Sequence, residues 1–385
     1  MSRNLIYLDN NSTTPCAPEV LDAMMPFFRE IFGNAASSHI LGRRAANAVA
    51  KAREQVTATI GCLEHEVVFT SGATESNNLV LFGITQRPEG RRKIVTSAIE
   101  HKSVLGPCQW LREKGFEVVE IPVDANGLVD MEVTRQEIDA KTLLVSVQGA
   151  NNEIGTIQPI QVISDLAHGK GALVHADMAQ MLGKLPLDMT ELGLDYASFS
   201  AHKIYGPKGV GALFIGSGQS SARITPLLHG GSQEFGHRPG TLNVPGIVGF
   251  GEACRLAHHQ VADDMVFVAA MRDALEEELL VEIPDLVINA RIACRLPGTT
   301  SITLPGVPAD ALIANLQNIC ISDSSACNSG AISPSHVLIA LGLSANEAEC
   351  SIRVCVGRYN VIDDVYEACK ELKISVAKVK NLLCQ

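Results

Sequence analysis

Short apolar runs punctuate this chain at residues 66–70, 93–97, 116–123, 143–147, 172–175, 196–199 and 210–215. Each has the length of a strand, and most end in small or polar residues that favour a turn. Between these runs the apolar positions spread to a helical period. Residues 42–60 are rich in Ala, Arg and Glu, and 75–84 keep one apolar face. A helix carrying Trp110 follows residue 101, and another follows Pro159. Strands alternating with helices predict a mostly parallel sheet with helices on both faces. Residues 5–8 add a short N-terminal strand, and Pro15 and Pro18 lead into one amphipathic helix through Met24, Phe27 and Phe28.

Beyond residue 255 the pattern changes. Helices at about 255–280 and 363–382 surround strand candidates near 301–304 and 352–356. A chain of 385 residues is too long for one small core. The pattern divides it into a large domain, 15–255, and a smaller α/β domain built from 1–14 and 256–385.

In mostly parallel sheets, ligands collect beyond the carboxyl ends of the strands. Thr74, His101, Asn152, Asp177, Gln180, Ser200, His202 and Lys203 all fall just past predicted strands. Scattered polar residues would not gather at one sheet edge in this way.

Composition narrows the function class. Apolar residues are 46% and charged residues 19%, as in an ordinary folded protein. The net charge of −11 argues against direct nucleic-acid binding and against anionic membranes. No apolar run approaches the ~18 residues of a membrane span, and the first ten residues lack the apolar core of a signal peptide. The 11 cysteines are odd in number, scattered, and include no Cys-x-x-Cys pair. That is neither a disulfide framework nor a zinc site, so no metal is expected and a cytoplasmic location fits best.

Candidate chemistry centres on Lys203, which lies just past the run 196–199 and is followed by a Gly-Pro turn. A buried lysine amine can form a Schiff base with a carbonyl cofactor, although a lysine before a turn is also an ordinary surface residue. The turn Ser71-Gly72-Ala73-Thr74 joins a strand to a helix, which aims backbone N–H groups at one spot and suits an anion. A plain helix cap is the alternative. A cofactor that uses a lysine, phosphate contacts and an acid is pyridoxal phosphate. Lys203 would attach it and later move protons. Asp177 would pair with the pyridine nitrogen, or would simply cap a helix. His101 would lie on the ring, and Gln180 and Asn152 would bond its phenolic-oxygen side. Ala73, Thr74, Ser200 and His202 would hold the phosphate.

Seven motifs spread over nearly the full length resemble, in order, the cysteine desulfurases of the NifS/IscS type within the class V aminotransferases. They are Tyr7–Pro15, Thr70–Asn77, Glu100–Lys102, Asn151–Gly155, His175–Gln180, Ser200–Gly209 and Ser324–Cys327. The resemblance implies a fold-type I pyridoxal-phosphate transferase, with a mostly parallel seven-stranded sheet in a large domain and a smaller α/β domain. It implies the roles already given to Lys203, Asp177, His101, Gln180 and Asn152, and a homodimer in which Thr241 reaches the neighbouring subunit's phosphate. It further implies that Arg353 binds the carboxylate of L-cysteine, a task that suits a bidentate fork. Cys327 would take the sulfur as a persulfide and pass it to an acceptor protein, either a scaffold for iron–sulfur clusters or a thiolation relay. The small polar residues around Cys327 suit a tethered thiol, and its spacing from Arg353 matches the long-loop branch.

Several positions depart from the usual pattern without removing a catalytic group: Ala201, Met178-Ala179, Phe235, His237, Pro239 and Asp323. Two rival readings are another enzyme of this fold, a class V aminotransferase or selenocysteine lyase, and a non-catalytic scaffold. The intact Lys203, Asp177 and Cys327 weigh against the scaffold.

Overall fold

The computed structural model describes residues 5–383, apart from 219, 221–222 and 324–333. The strands in chain order are β1 (Ile6–Tyr7), β2 (Val67–Thr70), β3 (Lys93–Ser97), β4 (Glu117–Ile121), β5 (Thr142–Ser146), β6 (Leu173–Asp177) and β7 (Tyr196–Ser200). There follow β8 (Gly211–Ile215), β9 (Val287–Asn289), β10 (Thr299–Thr303), β11 (Ile319–Cys320), β12 (Ser322–Asp323) and β13 (Ser351–Cys355).

Seven strands form one sheet in the order β2-β8-β7-β6-β5-β3-β4. β8 runs antiparallel to both its neighbours, and the remaining pairs are parallel. The mostly parallel sheet expected from the alternating pattern is thus present. β2, β3, β5, β6, β7 and β8 are buried along their whole length, whereas the edge strand β4 is largely open. Helices on both faces explain why these strands read as continuous apolar runs instead of alternating ones.

The core on one face gathers Phe69, Val145, Val174 and Phe199 with Val49, Val56 and Phe250 of two long helices. The other face packs Leu79, Ile84, Leu111 and Tyr196. A separate cluster holds Leu8, Leu275, Ile302, Val354, Val365 and Leu372 around the antiparallel sheet β12-β13-β10-β9. β1 pairs in parallel with β11, and Asp9 bridges to Cys355 at the end of β13.

Two helices differ from expectation. The single N-terminal helix is split into Pro18–Met24 and Pro26–Arg29. Pro26 has no N–H with which to continue the first helix. The helix expected from about 255 begins eleven residues earlier and runs Val244–Glu282, capped by Asn243.

Candidate active site

A cleft opens at the carboxyl ends of β5, β6 and β7. It is lined by Ala73, Thr74, His101, Asn152, Asp177, Gln180, Ser200, His202, Lys203 and Arg353, and it spans about 1410 Å³ including its mouth. Every cofactor-site residue expected from the sequence lines this cleft except Thr241, which is exposed elsewhere on the chain. Cys327 lies outside the described residues.

Asp177 and Ser200 are the last residues of β6 and β7, not the first residues beyond them. Lys203 closes a single 3₁₀ turn, Ala201–Lys203, directly after β7. Its Nζ donates to the backbone carbonyls of Asn11 at 2.6 Å and Ser12 at 2.8 Å. The N-terminal polar loop therefore reaches across the sheet edge and receives the amine.

Asp177 is not a helix cap. Its Oδ2 accepts from Asn77 Nδ2 at 2.7 Å, and its Oδ1 accepts from the backbone N–H of Ala179 at 3.0 Å. Charge-assisted bonds to both oxygens hold the carboxylate in one orientation. Asn77 is buried and also donates to Ser103 Oγ at 2.8 Å. Ser103 in turn donates its backbone N–H to His101 Nδ1 at 3.1 Å. Burial, first, and the neighbouring Lys203 and Lys102 push His101 below its ordinary value, against the pull of Asp177. The ring is thus biased toward the neutral form. Burial, reinforced by Lys203, Lys208 and Lys184, brings His202 down to about 4.

The helix Ala73–Thr85 starts after Gly72 with no side-chain cap on its first turn. Gly72 sits at φ +148, which excludes an ordinary side chain. A Cβ on Gly211 of β8 would come within 2.7 Å of the Gly72 Cα, so both glycines are needed for the turn to press against the sheet. The result is a cradle of N–H groups at a helix N-terminus, beside Ser200 and His202. Glu75 in this turn accepts from Arg238 Nε at 3.0 Å and from the Ser71 N–H at 2.8 Å. Burial pushes the Glu75 carboxyl up, but these bonds outweigh it and hold it below its ordinary value.

Arg353 also lines the cleft and is 3% exposed. It donates to the Asn152 carbonyl at 3.1 Å, to Asp9 Oδ1 at 2.7 Å and to Ser12 Oγ at 2.5 Å. Burial works against its charge, but Cys355 and the Asp9 contact outweigh burial and raise it above the usual value. Its buried Nε has no partner in the structure. An unmet donor on a charged arginine in a cleft suits a carboxylate ligand.

The residues fit pyridoxal phosphate on these grounds: an uncapped helix N-terminus for a phosphate, the Lys203 amine and the fixed Asp177 carboxylate all line one cleft. Sequence reasoning gave no role to Asn77, Ser103, Lys184 or the carbonyls of Asn11 and Ser12. Asn77, Asn11 and Ser12 stand inside motifs already singled out, which was the available signal.

No cysteine among the described residues lines the cleft. Burial raises Cys62, Cys108, Cys254, Cys355 and Cys369 above the ordinary thiol value. The segment that carries Cys327 is rooted beside the cleft at both ends. Ser322 of β12 pairs with Arg353 of β13, and Ser335 Oγ donates to Glu153 Oε2 at 2.5 Å. Among the described residues, no cluster of His, Cys, Asp and Glu is arranged to hold a metal, and no helix is long and apolar enough to cross a membrane.

The family Aminotransferase class-V matches residues 6–367 of the chain. Cysteine desulfurase IscS of Rickettsia typhi is 39% identical over 379 residues, which cover 98% of this chain and 92% of that protein. A cysteine desulfurase of Gluconacetobacter diazotrophicus is 40% identical over 383 residues, covering 98% and 95%. A solved NifS-like protein superposes with a TM-score of 0.90 at 37% identity, over 97% of this chain and 99% of that one.

Proposed function

The chain belongs to the class-V aminotransferase family and is a pyridoxal-phosphate-dependent cysteine desulfurase, and on that premise we propose how its residues divide the work. The observation that carries the assignment is the convergence of Lys203, Asp177, the Gly72–Thr74 turn and Arg353 on one cleft. When bound, the cofactor supplies an electron sink for a carbanion at the substrate Cα.

Lys203 Nζ would hold the cofactor and would carry the proton taken from the substrate Cα. Asp177, oriented by Asn77 and the Ala179 N–H, would pair with the cofactor's ring nitrogen and favour its protonated form. His101, biased toward the neutral form, would bind the ring, and Gln180 and Asn152 would bind its phenolic oxygen. Ala73, Thr74, Ser200 and His202 would hold the phosphate. Arg353 holds the substrate carboxylate. The Cys327 thiol then takes the substrate sulfur, so that L-cysteine and Cys327 thiol become L-alanine and Cys327 persulfide.

Exposed Thr241 is assigned to the phosphate of a second subunit, which makes the working form a homodimer. The persulfide goes on to an acceptor protein, for iron–sulfur cluster assembly or thio-modification, in the cytoplasm. The test is product analysis with L-cysteine after loading with pyridoxal phosphate. Equal yields of L-alanine and protein persulfide are expected. A keto acid instead would point to an aminotransferase, and turnover of selenocysteine alone to a selenocysteine lyase.

A further inference from the structure

Lys184 takes no part in the roles assigned above, yet it sits at the centre of the contacts that hold them together. Its Nζ donates to Gln180 Oε1 at 2.8 Å and to Asn11 Oδ1 at 2.8 Å. The other end of Gln180, Nε2, donates to the Asn11 carbonyl at 3.0 Å. That carbonyl also receives Lys203 at 2.6 Å. The other end of Asn11, Nδ2, donates to the Asn152 carbonyl at 3.1 Å and to Thr299 Oγ1 at 2.9 Å. The Asn152 carbonyl receives Arg353 as well. One loop residue, Asn11, therefore links the cofactor lysine, the cofactor-facing amide and the substrate arginine.

We propose that Lys184 is a positioning residue of the desulfurase: its ammonium fixes which way the amides of Gln180 and Asn11 face. The proposal rests on the active-site reading given above. The argument is one of donors and acceptors. A lysine ammonium has three donors and no acceptor, so only an amide oxygen can face it. Gln180 has a carbonyl at one end and an ammonium at the other, and only one orientation satisfies both. The same holds for Asn11.

The consequence is directional. Gln180 can offer the cleft only its remaining Nε2 proton, which is a donor for an anionic oxygen on the cofactor. With Lys184 gone, the Gln180 oxygen is free to turn inward and present an acceptor to that same anion. Asn11 would likewise lose the contact that sets its carbonyl against Lys203. Lys184 is partly buried, and its ammonium is held by two amide oxygens. Burial, helped by Lys203 and Arg353, brings it down to about 7. A lysine poised there holds both amides firmly only while it is charged.

The test is a double-mutant cycle on the cofactor-loaded protein, with Lys184→Gln, Gln180→Ala and the pair. Lys184→Gln restores a donor but adds an acceptor, so the amide orientation is no longer dictated. The expected result is a displaced visible absorption band and a roughly tenfold fall in kcat with KM within threefold. In the Gln180→Ala background Lys184→Gln should have little further effect, and Lys184→Arg, which has only donors, should keep the wild-type band. Melting temperatures are measured in parallel. If Lys184→Gln does not fold, Lys184→Met carries the same cycle. Effects that are simply additive, or a Lys184→Gln protein with wild-type band and kcat, overturn the proposal. Wild-type protein that converts no L-cysteine would instead overturn the functional reading beneath it.

Discussion

Asn77 donates from Nδ2 to Oδ2 of Asp177 at 2.7 Å, joining the helix after the Gly72 turn to the end of β6. The helix proposed to cradle the phosphate is thereby tied to the carboxylate proposed to pair with the ring nitrogen. Asn77→Ala should leave that Asp177 oxygen without its donor. A lost bond to a buried charged group costs about 1–3 kcal/mol. Cofactor affinity should fall roughly 5- to 150-fold, read by fluorescence titration of the cofactor-free protein. Affinity within twofold of wild type would count against the coupling.

Lys203, Lys208 and Lys184 stand near the cleft, as does Lys102 beside His101. Only Lys203 follows a sheet strand directly, and its amine rests on two carbonyls inside the cleft. Borohydride reduction and peptide mapping should place the cofactor on Lys203. Lys203→Ala should carry no covalent cofactor while keeping its fold, read by circular dichroism. A label on Lys208 or Lys184 in the wild-type protein would sink the assignment.

The sheet and its cleft were legible because buried parallel strands leave unbroken apolar runs, and their carboxyl ends are where polar motif residues stop them. What stayed hidden has specific causes. The helix Val244–Glu282 was expected only from about 255, and its first turns carry Gly246, Gly249 and Gly251, which weaken helix propensity. Those glycines are there for contact: a Cβ on Gly249 would meet Met24 Sδ at 2.5 Å, and one on Gly251 would meet Ala52 Cα at 2.6 Å. Lys184 was invisible for another reason. Its partners are an amide four residues back and a loop 173 residues earlier, a meeting that only the fold creates. Strands β11 and β12, two residues each, are too short to leave a period.

Arg353 supports a prediction about substrate binding. It already meets the Asn152 carbonyl, Asp9 and Ser12, and keeps Nε unmet. A lysine has no planar fork and cannot replace this set. Arg353→Lys should raise KM for L-cysteine by about 10- to 100-fold, with a smaller change in kcat, if a charged bond worth about 1.5–3 kcal/mol is lost. Steady-state alanine production gives the answer. An unchanged KM would remove Arg353 from the substrate site.

Glu100 gives a prediction in pH. Burial raises its carboxyl to about 8, although bonds from Ser97 and Gln148 oppose the rise; the charge of Asp177 adds to it. Oε1 takes both bonds and Oε2 has no partner. Between about 4.5 and 8 the folded protein holds a proton that the unfolded chain has released. Its contribution to stability is therefore present below 4.5 and is lost as pH rises toward 8. Glu100→Gln, which cannot ionise, should be increasingly favoured over wild type across that window. The difference should grow by up to about 1.4 kcal/mol per pH unit. Denaturant melts of both proteins at pH 5, 6.5 and 8 measure it. A difference that is flat with pH would mean Glu100 titrates normally.

Cys327 carries the prediction that separates this enzyme from aminotransferases of the same fold. No described cysteine lines the cleft, and burial raises Cys355 above the ordinary thiol value. Thiolate is the reactive form, so a thiol held neutral by burial is a poor sulfur acceptor. On either side of residues 324–333, Ser322 pairs with Arg353 and Ser335 donates to Glu153. Cys327 remains the sulfur acceptor proposed from the motif Ser324–Cys327. Cys327→Ser should bind pyridoxal phosphate and change its absorption on adding L-cysteine, because Lys203, Asp177 and Arg353 are untouched. It should release at most about 1% of the wild-type sulfide and carry no persulfide, since a hydroxyl cannot take the sulfur. Cys350→Ser and Cys355→Ser should stay within about threefold of wild type, provided their melting temperatures show that the buried serines are tolerated. Mass spectrometry after one turnover locates the added sulfur. Sulfur found mainly on another cysteine, or normal turnover in Cys327→Ser, would exclude the proposed transfer.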